Sequence, residues 1–83
     1  MNNLNGNLLE SIAWYHYNIK KSKGIMHAYY TGILEGIYMV ILGEDYHPGN
    51  LFQNLRNFLL KYDLKIVRGE NYKRFSLIER NEG

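Results

Sequence analysis

The side chains with acid, base or metal-binding potential are few and scattered along the chain. His16, His27 and His47 show no His-x-x-x-His spacing, and no carboxylate pair accompanies them on a shared helix face, so no metal site is expected. Glu44, Asp45 and His47 share the segment Gly43-Glu44-Asp45-Tyr46-His47-Pro48-Gly49, the one place where an acid/base group could assemble. Three polar residues beside Pro-Gly are also the composition of an ordinary turn, which is the simpler reading. Ser11, Ser22 and Ser76 lack the context of a nucleophile elbow, and no Gly-rich phosphate loop occurs. With no cysteine there is no thiolate nucleophile, disulfide framework or Cys-based zinc site. The expectation is a protein that is not an enzyme and takes no cofactor.

A second kind of chemistry is nucleic-acid recognition. Gln53, Asn54, Arg56, Asn57 and Lys61 fall on the polar side of one apolar-periodic segment, and Lys65, Arg68, Lys73 and Arg74 follow in a stretch of period two. Gln and Asn can pair bidentately with adenine and Arg with guanine, while Lys and Arg can track phosphates. Residues 51–83 carry a net charge of +3 against −1 for residues 1–50, in the same direction. From Leu55 to Leu77 the order of a polar-faced helix followed at once by a basic hairpin resembles the recognition helix and wing of small bacterial winged-helix repressors. The resemblance covers about a quarter of the chain and implies contact with duplex DNA. The short supporting helix and tight turn expected ahead of a recognition helix are missing, since a long helix and a loop with Pro48 and Gly49 precede it.

The third signal is aromatic. Eight tyrosines, one tryptophan and three phenylalanines in 83 residues exceed what one small core needs, and Tyr and Trp are enriched at binding hot spots. Trp14, Tyr17, Tyr29 and Tyr38 are the candidates for contact with a protein partner; Tyr46 and Tyr72 are also hard to place inside.

Positioning these residues requires three helices and a hairpin. Leu4, Leu8, Ile12, Tyr15 and Ile19 recur at helical spacing, with Asn7 and Glu10 as a capping pair and Gly24 as a stop, so the first helix is expected over about 7–22. The second, about 26–42, places Met26, Tyr30, Ile33, Ile37, Val40 and Ile41 on one stripe, and is apolar enough elsewhere to be buried on two faces. Gly32 and Gly36 within it each cost about 1 kcal/mol of helix propensity. Close approach of a neighbouring helix, from the same chain or a second copy, would compensate. Asn50 caps a third helix over about 50–62, with Gln53 as reciprocal partner and Leu51, Leu55, Phe58, Leu59 and Tyr62 inward. Leu64 and Ile66, then Phe75 and Leu77, alternate with polar residues around a turn at Gly69-Glu70-Asn71, a β-hairpin of about 64–79. The fold class is α+β in the order α-α-α-β-β, one compact domain over residues 1–83.

Composition sets the remaining bounds. A chain of 83 residues with 46% hydrophobic and 22% charged residues is globular rather than disordered. At 9.8 kDa it can bury roughly 9,000 Å² of the roughly 14,000 Å² exposed when unfolded, enough for one core without a staple. A mean hydropathy of −0.40 and the lack of a run of 18 apolar residues argue against a membrane partner, and the N-terminus lacks the basic region of a signal peptide. Absence of cysteine suits a reducing, cytoplasmic location. Asn, Ile, Tyr and Lys, whose codons are AT-rich, make up 32 of the 83 residues, the composition of a phage or mobile-element product. The expected function is that of a small stoichiometric inhibitor of a host macromolecular system, such as a nuclease-based defence in the manner of an anti-CRISPR protein. It would bind a host protein or nucleoprotein complex in the host cytoplasm, and pair as a homodimer through residues 26–42 or 7–22. The alternative is a winged-helix-like transcriptional regulator that uses residues 50–62 and the basic hairpin.

Overall fold

The computed structural model describes residues 6–68 and 75–80. Leu4, the turn Gly69-Glu70-Asn71, and Tyr72, Lys73 and Arg74 lie outside the described residues. Helix α1 spans Gly6–Lys21, α2 Gly24–Leu42 and α3 Leu51–Lys61, followed by strands β1 Leu64–Arg68 and β2 Phe75–Glu79. A single 3-10 turn, Gly43–Asp45, continues α2 into the loop before α3. The architecture is the α-α-α-β-β arrangement read from the sequence.

The elements close into a ring. Helix α1 packs on α2 and β2, α3 packs on α2 and β1, and the two strands pair antiparallel with Ile66 opposite Leu77 and Leu64 opposite Glu79. The core inside the ring consists of Ile12 from α1, Leu34, Tyr38 and Leu42 from α2, Leu55 and Phe58 from α3, and Leu64 and Leu77 from the strands. Leu8, Tyr15, Ile19, Leu51, Leu59, Tyr62, Ile66 and Phe75 pack around it, as their periodicity predicts.

Helix boundaries depart from expectation in instructive ways. Asn7 already lies within α1 and so is not the cap expected of it. Gly24, expected to stop the first helix, adopts φ 64 and instead opens α2, so the connection shortens to Ser22-Lys23. Asn50 caps α3 as expected, its side chain accepting from the Gln53 amide at 3.0 Å. The Gln53 side chain does not return to close a capping box; it donates to Asn57 Oδ1 at 2.9 Å. Asp63, at φ 53, makes the left-handed turn from α3 into β1, and its carbonyl accepts from the Arg80 amide at 3.0 Å beyond the end of β2.

The largest difference concerns α2. Its inward stripe is Leu34, Tyr38 and Leu42, whereas Met26 and Val40 from the expected stripe are exposed. Periodicity cannot choose the inward face of a helix that is apolar all round. Here Tyr38 decides it, packing edge-on against Phe58 with centroids 5.9 Å apart and meeting His16 of α1. Nor is α2 buried on two faces: the side opposite Tyr38 carries Ile25, Tyr29, Met39 and Val40, all exposed. The stretch Gly24–Asp45 is, by length and composition, apolar enough to cross a bilayer, at mean hydropathy 1.3, although its inner face is packed on α1 and α3.

Candidate interaction surfaces

The loop expected to carry acid/base chemistry is tied down by its neighbours. Glu35, on α2, accepts from the Tyr46 hydroxyl at 2.8 Å and from the Gly49 amide at 2.9 Å through the same Oε1. These two donors hold its carboxyl below the usual carboxylate range, the Gly49 amide contributing most, and the same contact pushes the Tyr46 phenol up. From the other side Asn54 grips the His47 backbone twice, accepting from its N–H at 2.7 Å and donating to its carbonyl at 2.9 Å. Asn57 donates to the Asp45 carbonyl at 2.8 Å. Glu44, Asp45 and His47 remain exposed on the outside of this clamped loop, and among the described residues no group of three His, Cys, Asp or Glu side chains could hold a metal ion.

The same bonds redefine the polar face of α3. Asn54, taken from the sequence as a base-reading side chain, is fully buried, and Tyr38, taken as a surface hot spot, is a core residue with no exposed area. Both corrections share a cause, since a polar group survives burial when its partners are aimed at it. Asn54 has the His47 backbone and Tyr38 has His16 Nε2 at 2.7 Å. The Gln53 side chain donates to Asn57, which itself holds the loop, and Lys61 donates to the Ile41 carbonyl at 3.0 Å, closing the end of α2. Of the five polar residues expected on that face, Arg56 alone is exposed with no such bond among the described residues. On the hairpin Lys65 is half-buried and Arg68 exposed, while Lys73 and Arg74 lie outside the described residues.

Helix α3 also exposes two residues not singled out from its sequence. Phe52 is 84% and Leu60 73% exposed, and with Arg56 between them they form an i, i+4, i+8 row. The signal was present in the chain, because both fall off the Leu51, Leu55, Phe58 stripe.

The aromatic candidates divide. Trp14 packs edge-on against Tyr15 and Tyr30 at 5.3 and 5.5 Å, and Tyr29 joins Tyr30 at 5.7 Å, so Trp14 and Tyr29 are partly exposed ends of one aromatic corner at the α1–α2 contact. A shallow hollow lined by Asn7, Glu10, Ser11, Trp14 and Tyr15 runs beside it. Tyr17 lies apart from this corner, with the Lys21 ammonium 4.9 Å from its ring centre. Compared with protein-family models, with curated proteins and with solved structures, the chain matches none.

Proposed function

We propose that this protein is a non-enzymatic binding protein that acts stoichiometrically by laying the outer face of α3 into an apolar groove of a partner protein. The observation that carries the reading is the Phe52, Arg56, Leu60 row, two large apolar side chains left in water around an arginine at the spacing of helix-in-groove anchors. The partly exposed Trp14 and Tyr29 supply a further contact of hot-spot type. The AT-rich residue usage supports a partner in the host of a phage or mobile element, where occupying a functional surface of a defence nuclease would inhibit it. A regulator that reads DNA through α3 draws less support, because Asn54 and Asn57 are committed to the loop, Gln53 is committed to Asn57, and the exposed row is mainly apolar.

The test compares what the full chain and its Phe52→Asp and Leu60→Asp variants retain from a host lysate, quantified by mass spectrometry, with circular dichroism to verify folding. A protein retained by the parent and by Arg68→Glu but lost with both α3 variants supports the reading. In parallel, labelled duplex DNA is titrated at about 50 and about 200 mM salt. Binding that weakens steeply with salt and is abolished by Arg68→Glu would replace this reading with the regulator.

A further inference from the structure

We propose that the outer face of α2 is a self-association seam on which a second copy of this chain packs, with the two α2 helices antiparallel. This goes beyond the partner-binding role assigned to α3 and uses a different helix. Ile25, Tyr29, Gly32, Gly36 and Met39 follow one another at intervals of four, three, four and three residues, the spacing of a seam between paired helices. The large residues on and beside it are exposed: Ile25 87%, Val40 85%, Tyr29 58%, Met39 55% and Met26 47%.

The exposed area matches what a stable pair needs. At roughly 200 Å² for a large side chain, these five residues leave about 650 Å² of surface uncovered, close to the roughly 800 Å² that each partner contributes to a standard interface.

Gly32 and Gly36 point to a helix as the occupant. A Cβ built on either meets nothing within 4 Å, and neither has a positive φ, so nothing within the described fold requires a glycine there. Two glycines in the middle of a helix are unfavourable unless another backbone comes close. They also specify symmetry. Tyr29 and Met39, and Gly32 and Gly36, lie at equal distances either side of position 34, so a two-fold axis there sets Gly32 against Gly36 of the second copy and Tyr29 against Met39. The larger side chains then fill the ends of a close central crossing, and the antiparallel sense opposes the helix dipoles.

Charge agrees with a second copy. The only Asp, Glu, Lys or Arg within Gly24–Leu42 is Glu35, which is bonded to Tyr46 and Gly49. Two such faces therefore meet without like charges opposed. A lipid surface would accept the apolar residues but has no use for the glycines.

Sedimentation equilibrium of the full chain from about 1 to about 100 µM tests the proposal, because self-association depends on concentration. The expected result is a mass twice 9.8 kDa at the upper end. Val40→Glu, at an exposed position, weakens the association by roughly 100-fold while leaving the circular dichroism spectrum unchanged, since it sets a charge at the flank of the seam, where two copies meet. Gly36→Ala is the second variant; it raises the melting temperature of the monomer by improving helix propensity yet weakens the pair, an opposition of signs that a merely structural glycine would not give. Because the chain has no cysteine, mixed Tyr29→Cys and Met39→Cys proteins report the sense, the antiparallel seam giving the mixed disulfide in preference to either homodimer. A monomer at every concentration, association insensitive to both Val40→Glu and Gly36→Ala, preferential homodimer disulfides, or a monomer that sediments with phosphatidylcholine–phosphatidylglycerol vesicles would each overturn the proposal.

Discussion

Mild acidification should destabilise this protein through the imidazole of His16. His16 Nε2 lies 2.7 Å from the hydroxyl of Tyr38, which is fully buried, and Phe75 closes the other side with ring centres 5.9 Å apart. The arrangement that satisfies both groups has the Tyr38 hydroxyl donating to an unprotonated Nε2, because a ring carrying a proton there would turn the hydroxyl into an acceptor and strand its own O–H in the core. Burial lowers the His16 pKa from 6.5 to about 4 and pushes the Tyr38 phenol well up. The folded state thus binds the proton less readily than the unfolded state. The associated stability is complete above about pH 7, falls as the pH drops through 6.5, and is lost by about pH 4. At about 1.4 kcal/mol per pH unit the ceiling is about 3.5 kcal/mol, and partial exposure of the ring brings the expectation to about 2 kcal/mol. That is a large share of the stability of a domain this size. Urea titrations at several pH values between 7.5 and 4.5, followed by circular dichroism and by the fluorescence of Trp14, measure it. The parent should lose most of that amount over the range, and His16→Gln should show a much flatter dependence. Glu35, whose carboxyl is held below the usual range, keeps its contribution at higher pH and begins to lose it only as the pH nears the ordinary value of 4.5, so the slope above about pH 5.5 reports His16. Equal slopes for the parent and His16→Gln above pH 4.5 would refute the reasoning.

Three further perturbations probe the same framework. Asn54→Ala removes a buried amide that bonds both polar groups of the His47 backbone, and should cost about 2–4 kcal/mol in urea unfolding and expose the 43–50 loop to proteolysis. Thr31→Val should raise stability by about 1 kcal/mol, since the Thr31 hydroxyl is buried without a hydrogen-bond partner; thermal melts that show a loss would contradict this. Asp63→Gly should be neutral to about 1 kcal/mol stabilising, because the left-handed turn at φ 53 suits glycine and the Asp63–Arg80 ion pair, 3.7 Å apart and largely exposed, contributes little.

The order of elements was legible because each depends on local pattern. The stripe Leu51, Leu55, Phe58 and the Asn50 cap are written within a dozen residues, as is the alternation of Leu64 and Ile66. What was not legible depends on partners far away in the chain. Tyr38 reads as one more aromatic on an apolar helix until His16, 22 residues earlier, is placed beside it. Asn54 reads as a solvent-facing amide until the loop ahead of α3 folds back so that the His47 backbone meets it. Tyr46 and Gly49 find Glu35 across 11 and 14 residues in the same way. Polar side chains on α3 suggested a nucleic-acid surface because a sequence shows donors and acceptors without showing what consumes them.

The exposed apolar faces follow from the dimensions of the fold. The chain forms a slab with extents of 38 × 34 × 19 Å, and the shortest of these accommodates two layers of secondary structure and no third. A helix in such a slab can bury only one side. Helices α1 and α3 have polar residues to place on the other, but α2 does not, since Thr31 and Glu35 are the only clearly polar residues in its middle and Glu35 is needed to hold the loop. A soluble monomer of this fold would carry charges at Ile25, Met39 and Val40, where substitution costs the core nothing. Retaining apolar residues there, around two glycines that the described fold does not use, is a cost with no return inside one chain. The same reasoning applies to Phe52 and Leu60, whose exposure contributes nothing to the core around Phe58. The exposed faces of α2 and α3 thus differ in kind, and α2, whose outer residues are uncharged and placed symmetrically about position 34, is the one that suits the second copy proposed above.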